Sequence, residues 1–459
     1  MGFTKTISCA GLCLAMTCCE SWRFSTPVSD LSIRTPGTWR AASQGTEGRI
    51  STGWLSDFND PDLTRTVHEA LAHNRDLKVS AARMKELKQL VIVAKARKKP
   101  GLNLSNRSST TSDADQSHSL NLSASWEPDL WGRLANLSNA AESDAYAAVE
   151  DFRAARLSLV ANTAKAWCNL ISAEQELSLA NLTLESYSKN LRIVERTYKS
   201  TGDGALDIQF SRTNVSSAKR SVETSTYARD EAARALELLL GRYPAGTERN
   251  RRELPTMRQS VPAGLPANLL DRRADLSAAR ADLFASAERA EAARKALLPS
   301  FSLTATGGSS SSKLTQLLDP HELALTIAEN LTQIITDGGE TAAQARAALA
   351  RNEAQIHSYT QTALEAFQEV ESALAADRSL AIQEKHLASE LKQAALAERQ
   401  AERDYSEGVN SNILSILEAQ RRANNARASM IRLRNNRLQN RIDLHLALGG
   451  DFQTTPFNQ

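Results

Sequence analysis

Apolar and polar residues alternate along four short segments of the chain, which is the pattern of a half-buried β-strand. In one of them Leu120, Leu122 and Trp126 fall on one face, while Asn121 and Ser123 fall on the other. With its extensions each segment is roughly nine to eleven residues long, the length at which a tilted strand crosses a bilayer. The pattern predicts four strands in two pairs. They run from Leu102 to about Thr110, from Ser117 to Trp126, from Ser300 to Gly307 and from about Glu322 to Ala328.

Two long stretches between these segments contain no proline. They run from Asp129 to Tyr243 and from His321 to Thr455, and their apolar residues recur every three or four positions, as at Leu157, Val160 and Ala164. A proline inside a helix costs about 3 kcal/mol, so these stretches predict very long helices that pack against other helices. Neither stretch contains the eighteen consecutive apolar residues that a transmembrane helix needs.

The order of strand pair, long helix, turn and helix occurs twice, with an offset of about 206 to 208 residues. The segment from Thr197 to Arg212 corresponds to the segment from Asp404 to Gln420. Each contains a tyrosine, then a glycine, then a leucine-containing restart of the helical pattern. The duplication predicts two helical hairpins, the first about 100 Å long at 1.5 Å per residue.

Four strands cannot close a barrel alone, and open strand edges are not tolerated in lipid. If the strands lie in a membrane, several chains must therefore contribute to one barrel. Two soluble hairpins packed on the helices would account for the alternation equally well.

The first nineteen residues resemble a secretory signal peptide. One lysine precedes an apolar run of about a dozen residues. Four of the five cysteines lie in this segment, so its removal would leave Cys168 without a partner for a disulfide. In a lipoprotein signal the acylated cysteine would be Cys18 or Cys19. A signal peptide without lipidation is the alternative.

Composition and motifs give no indication of an enzyme. The formal net charge of +2, from 55 Lys and Arg against 53 Asp and Glu, provides no reason to expect nucleic-acid binding. There is no phosphate-binding loop, dinucleotide fingerprint or nucleophile elbow, and His68 and His73 are poorly spaced for metal binding on one helical face. We expect no catalytic residue, no metal and no cofactor.

Five segments in order resemble the TolC-like outer-membrane factors, in particular the lipoprotein branch that works with resistance-nodulation-division pumps. The most specific is SWEPDLWGRL, from Ser125 to Leu134. A second, NLLDRRADLSAAR, resembles the family's Arg-Arg-Pro-Asp motif, although Ala274 replaces the proline. The others are GWLSDFNDPDLTRTVHEALAHNRDLKVSAARM, LLPSFSLTATGG and YSEGVNSNILSILEAQRR.

The resemblance implies a mixed α+β membrane protein. Three chains of four strands would form one twelve-stranded β-barrel in the lipid of the outer membrane, continued by a long α-helical barrel through the periplasm. The homotrimer would be the passive channel of a tripartite efflux system, together with a periplasmic membrane-fusion adaptor and an inner-membrane pump. The exit duct of a type I protein secretion system uses the same architecture, and a soluble helical scaffold is the alternative from another class.

The resemblance and the duplication together divide the chain into a signal peptide (1–18), an N-terminal extended segment (19–65), a first helical repeat with its connection (66–99 and 128–298), the strand pairs (100–127 and 299–335), a second helical repeat (336–449) and a C-terminal tail (450–459).

Glycines and one proline are expected where the backbone must change direction. Pro128 and Gly132 would form the first strand–helix junction, and Gly338 and Gly339 the second. The turns at the hairpin tips, where the adaptor would dock, contain Gly202, Gly204 and Gly408.

The resemblance also implies a gate at the hairpin tips. The family closes its tunnel with a tyrosine and carboxylates, which Tyr405, Glu418 and Asp207 match, whereas Ser415 stands in place of a further aspartate. Such a ring of carboxylates would favour cations. Alternatively, Asp207 and Glu418 would only cap or solvate helix ends.

Overall fold

The structure is a computed structural model, and it describes residues 37–41, 53–110, 116–202, 204–250, 253–255, 261, 269–313, 315, 319, 321, 323–407 and 413–452. The strands are β1 (Gly101–Thr110), β2 (Gln116–Trp126), β3 (Ser300–Ser311) and β4 (Ala324–Thr332). The helices are α1 (Pro61–His73), α2 (Arg75–Ala96), α3 (Arg133–Thr201), α4 (Ala205–Leu239), α5 (Leu269–Arg272), α6 (Ala274–Lys295), α7 (Glu340–Ser406) and α8 (Ile413–Ala447), and a 3-10 helix covers Trp54–Phe58.

The four strands form one antiparallel sheet in the order β1-β2-β3-β4. Leu102 pairs with Ala124, which pairs with Ala305, which in turn pairs with Ile327, so a row of apolar residues crosses one face of the sheet. The side chains at the two ends of this row, Leu102 and Ile327, are 67% and 69% exposed. The sheet therefore presents an apolar surface that its own chain does not cover.

The four predicted strands are confirmed, with two changes of bounds. β3 continues past Gly307 to Ser311, because its pairing with β2 extends that far. At Gly308 the two strands are so close that a Cβ added there would be 2.4 Å from the Leu120 carbonyl oxygen. β4 begins later than expected and continues to Thr332, because its pairing with β3 extends to Ser300.

The long helices are also confirmed, and they repeat in length. α3 has 69 residues and is followed by α4 with 35, whereas α7 has 67 residues and is followed by α8 with 35. At 1.5 Å per residue, α3 is about 100 Å long. Among the described helices, none combines the length and apolar character needed to cross a membrane.

The chain forms two compact units. The described residues of one unit, which contains the sheet, lie within Val93–Ala140 and Leu283–Thr360, and those of the other lie within Arg34–Ile92, Ala141–Asp282 and Gln361–Gln459. The main core of the second unit is built from the middle of α3 and from α1, with Trp167 and Ile171 buried beside Leu63.

Two charged side chains, Asp60 and Arg273, each make several hydrogen bonds within this second unit. The carboxylate of Asp60 caps α1 by accepting hydrogen bonds from two backbone amides, and it also accepts one from the Trp167 indole at 2.9 Å. Arg273, in the RRAD motif, donates to Asp275, to Glu369 and to the carbonyl oxygen of Ala447 near the end of α8. The motif therefore holds the C-terminus of α8 through a cation, as expected at that end of a helix dipole.

The replacement of the family's proline has a simple structural setting. Ala274 is the first residue of α6 and is buried. Proline is favoured at a first helical position because its missing N–H would have no partner there. Alanine is compatible with the same backbone, so the helix begins as it would with proline.

Candidate functional site: strand–helix junctions and hairpin tips

The first strand–helix junction lies between β2 and α3. Pro128 follows the strand, and Gly132 has φ +75°, a left-handed backbone that residues with a Cβ rarely adopt. Asp129 accepts hydrogen bonds from the amides of Leu134 and Ala135 at 2.9 and 2.6 Å. The carboxylate thus satisfies two of the amides that have no partner inside the helix.

The second junction, between β4 and α7, repeats this arrangement. Gly338 and Gly339 have φ of +69° and +90°. Asp337 accepts hydrogen bonds from the Gly339 amide at 2.9 Å and from the Thr341 amide at 2.8 Å. The hydrogen bonds from Thr341 lower the pKa of Asp337 below its ordinary value.

The glycines and the proline of the junctions were predicted from the sequence, but both aspartates were missed. The available signal was an aspartate one to three residues before a glycine, followed by a long proline-free stretch, which is a typical helix start. Two tryptophans also hold the first junction. Trp126 donates to the Lys98 carbonyl oxygen at 3.0 Å, and Trp131 donates to that of Pro299 at 2.7 Å.

The first hairpin tip lies between α3 and α4. Gly202 and Gly204 have φ of +77° and +97°, and no atom lies within 4 Å of a Cβ added at Gly202, so backbone conformation rather than space requires the glycine there. Gly408, expected in the second tip, lies outside the described residues, as do Cys18 and Cys19.

Apolar side chains from both hairpins meet close to the tips. We call this group the tip cluster. Its buried members are Val194 of α3, Ile208 of α4 and Ile413, Ile416 and Leu417 of α8, and Tyr187, Ala401 and Tyr405 pack against them. The cluster therefore joins the first hairpin to the second.

Two of the three predicted gate residues are neighbours. Burial raises the pKa of Tyr405, and the negative charge of the nearby Asp207 raises it further. The tyrosine hydroxyl is therefore protonated at neutral pH and can donate a hydrogen bond. Asp207 lies in the first turn of α4, where a carboxylate also interacts favourably with the helix dipole.

Glu418, the third predicted gate residue, binds arginines of its own helix. Its carboxylate accepts from Arg421 at 2.8 and 2.9 Å and from Arg422 at 2.7 Å. These hydrogen bonds, first that of Arg421 and then that of Arg422, lower the pKa of Glu418 to about 2. The Glu418 carboxylate is thus paired with two guanidinium groups of its own helix.

A buried polar group next to the tip cluster was not predicted as part of the site. Gln420 is 1% exposed. Its oxygen accepts from Asn190 at 2.8 Å, and its nitrogen donates to Ser186 at 3.1 Å and to Glu402 at 3.0 Å. The available signal was a glutamine in an apolar stripe, four residues after Ile416 and three before Ala423.

Arginines of α8 also bind carboxylates of α7 along the second hairpin. The contacts are Arg427 with Glu398, Arg434 and Arg437 with Glu384, and Arg441 with Asp377. Two nitrogens of Arg427 donate to the Glu398 carboxylate. One nitrogen each of Arg434 and Arg437 donates to the Glu384 carboxylate. Such charge-assisted contacts hold α7 and α8 together as one element.

No group of three His, Cys, Asp or Glu side chains with the proximity needed to hold a metal ion occurs in the described ranges. Cys168 is fully buried, and burial raises the pKa of its thiol to about 12. The thiol is therefore a packing group of the core, not a nucleophile.

The sequence was compared with known proteins. The model of the outer membrane efflux protein family matches residues 66–242 and 265–450. The chain belongs to this family. Outer membrane protein OprJ of Pseudomonas aeruginosa is 30% identical over 444 residues, which cover 93% of this chain and 91% of that protein. Cation efflux system protein CusC of Escherichia coli is 30% identical over 420 residues, covering 88% and 89%.

Solved structures agree with this assignment. CusC superposes with a TM-score of 0.77 at 27% identity, covering 91% of this chain and 98% of that chain. The open state of the MtrE outer membrane channel of Neisseria gonorrhoeae has a TM-score of 0.81 at 25% identity, covering 95% and 99%. The predicted resemblance, the mixed α+β fold and the function as an outer-membrane efflux channel extending into the periplasm are thus confirmed.

Proposed function

We propose that three copies of this chain close one twelve-stranded barrel in the outer-membrane lipid, and that their helices form a duct through the periplasm. The observation that carries this proposal is the sheet. β1 and β4 are edge strands, and Leu102, Leu104, Leu325 and Ile327 are exposed on it. Strand edges and apolar side chains of this kind are both satisfied when neighbouring copies continue the sheet within lipid.

The channel conducts passively and receives its cargo from an inner-membrane pump through a periplasmic adaptor. Relatives that align over most of their length carry names that refer to different cargo: solvents or toluene, cations, and pyoverdine. Similar ducts thus occur in systems named for chemically unrelated compounds. We infer that the pump, not this channel, selects the compound exported.

The hairpin tips form the gate at the periplasmic end. Tyr405 and Asp207 come from different hairpins and lie close enough for the charge of one to shift the pKa of the other. Glu418 adds an arginine-paired carboxylate to the same end of α8. Opening the duct requires Tyr405 and Asp207, which belong to different hairpins, to separate.

The adaptor docks on the tip turns, at Gly202, Gly204 and Gly408. The left-handed backbone at Gly202 supports this proposal, because a side chain there would change the shape of the turn. A Gly202→Val channel should conduct normally in a bilayer but lose adaptor binding, measured by biolayer interferometry. Normal adaptor binding would remove this turn from the docking surface.

The N-terminus is anchored by a lipid on Cys18 or Cys19. Intact-mass measurement of protein purified from membranes tests this, since acylation adds the mass of the attached chains. An unmodified N-terminal cysteine would contradict it.

The assembly is tested by measuring native mass and single-channel conductance on one detergent-purified sample. A trimeric mass with defined conductance steps is the expected result. A monomer that stays in solution without detergent and gives no conductance would contradict the proposal.

A further inference from the structure

Gln420 joins the two helical hairpins through a single side chain. It lies on α8, three residues after Leu417 of the tip cluster, and it is almost completely buried. Asn190 and Ser186, its partners on α3, belong to the first hairpin, while Glu402, its partner on α7, belongs to the second.

The contacts require an amide at this position. The Gln420 oxygen accepts from an Asn190 N–H, and its nitrogen uses its two hydrogens toward Ser186 and the Glu402 carboxylate. A glutamate at position 420 could not donate to Glu402, and an aliphatic residue would lose all three hydrogen bonds. Every hydrogen-bonding group of the side chain is used in this arrangement.

The contacts around Gln420 differ in strength within and between hairpins. Within the second hairpin, α8 is held to α7 by charge-assisted contacts such as that of Arg427 with Glu398. Between the hairpins, Gln420 makes neutral hydrogen bonds, accepting from Asn190 and donating to Ser186, beside the apolar contacts of the tip cluster. Neutral hydrogen bonds are roughly half as strong as charge-assisted ones.

Charged contacts between α3 and α8 occur farther from the tip. Arg432 lies 3.9 Å from Glu176, and Lys165 is paired with Asp443. These arginine and aspartate positions are about three and six helical turns from Gln420 along α8. Gln420 therefore contributes neutral hydrogen bonds between α3 and α8 on the tip side of these charged contacts.

We propose that Gln420 is the positioning residue that holds the second hairpin against the first and thereby sets the closed state of the gate. This inference rests on the proposed function, because it assumes that the tips close a conducting duct. It places the control of closure in a buried amide next to the tip cluster, in addition to the half-buried gate residues Tyr405, Asp207 and Glu418.

The test is the single-channel conductance of Gln420→Glu. The introduced carboxylate would face Glu402 at the 3.0 Å distance that a hydrogen bond now occupies, and the two like charges would repel. Conductance should rise several-fold over the unsubstituted channel. The exposed Gln393 on α7 offers a matched control, since Gln393→Glu makes the same charge change on the surface and should leave conductance unchanged.

A second variant distinguishes positioning from general damage. In the double variant Glu402→Gln with Gln420→Glu, the amide and the carboxylate exchange places. The introduced carboxylate can then accept from the introduced amide, from Asn190 and from the Ser186 hydroxyl. Conductance should return to that of the unsubstituted channel.

The outcomes separate this inference from the proposed function. If the unsubstituted protein gives no conductance, the channel assembly is wrong. If it conducts and Gln420→Glu conducts equally, or if the double variant stays as open as the single one, the role of Gln420 is wrong. Should Gln420→Glu fail to assemble, Asn190→Leu removes one contact with α3 and leaves Gln420 in place, and unchanged conductance there would overturn the proposal.

Discussion

The strand–helix junctions and the hairpin tips show different consequences of the same duplication. Both junctions use an aspartate that accepts backbone amides and a glycine with positive φ, at Asp129 with Gly132 and at Asp337 with Gly338. The tips have diverged, since only the second carries the Glu418 carboxylate with its two arginine partners. The duplicated junctions share their capping aspartate and glycine, whereas the duplicated tips differ in the charged side chains where the gate is proposed.

The junctions and the tips should differ most in stability and conductance when one aspartate of each region is replaced by alanine. Asp129→Ala leaves two amides at the start of α3 without their partner and should cost about 1 kcal/mol per chain, the usual value for a helix cap. Asp207→Ala should change stability less and raise conductance, because its charge acts on Tyr405. Thermal dissociation of the trimer and single-channel recording measure the two effects.

Asp129→Asn is the control for the first change, because its side-chain oxygen can still accept an amide hydrogen bond. Equal stability losses for Asp129→Ala and Asp207→Ala, with unchanged conductance for both, would remove the distinction between junction and tip.

A smaller effect is expected on ion selectivity at the second tip. Glu418→Ala removes one negative charge and leaves Arg421 and Arg422 without their carboxylate. The reversal potential in a salt gradient should shift toward anion permeability, and Arg421→Ala should shift it toward cations. Shifts of the same sign in both variants would show that these side chains do not face the conducting path.

The smallest effect is expected from acid. The pKa of Glu418 is lowered to about 2 from an ordinary value of 4.5, so its ion pairs contribute fully above pH 4.5 and are lost only as the pH falls toward 2. The contribution of Glu418 to selectivity, taken as the difference between the unsubstituted channel and Glu418→Ala, should therefore remain constant from about pH 7 to about pH 3.5. If selectivity instead changed near pH 4.5, the ordinary pKa of a glutamate side chain, Glu418 would not be paired with its arginines in the open channel.

Local features of the sequence predicted most of the fold. Strands follow from alternation, and helices follow from the absence of proline, because both signals act over a few residues. The pairing of β2 with β3 was not predicted, because paired residues such as Ala124 and Ala305 lie far apart in the chain. The ends of β3 and β4 depend on the partner strand for the same reason.

In the candidate site, too, the features set by neighbouring residues were predicted and those set by distant residues were not. Gly132 and Gly202 were predicted because a backbone with positive φ is a local requirement. The partners of Gln420 were not, because they lie on two other helices. The pairing of Glu418 with Arg421 could have been predicted from their spacing of three residues, which places them on one face of a helix.

The most direct test of the account is the conductance of a channel in which Tyr405→Ala and Glu418→Ala are combined. Tyr227 and Glu390 are exposed residues of α4 and α7 away from the tips, and the combined variant Tyr227→Ala with Glu390→Ala is the matched control. The account predicts a trimer of normal mass with clearly higher conductance for the first pair and unchanged conductance for the second. Normal assembly with unchanged conductance for the first pair would contradict a gate at the hairpin tips.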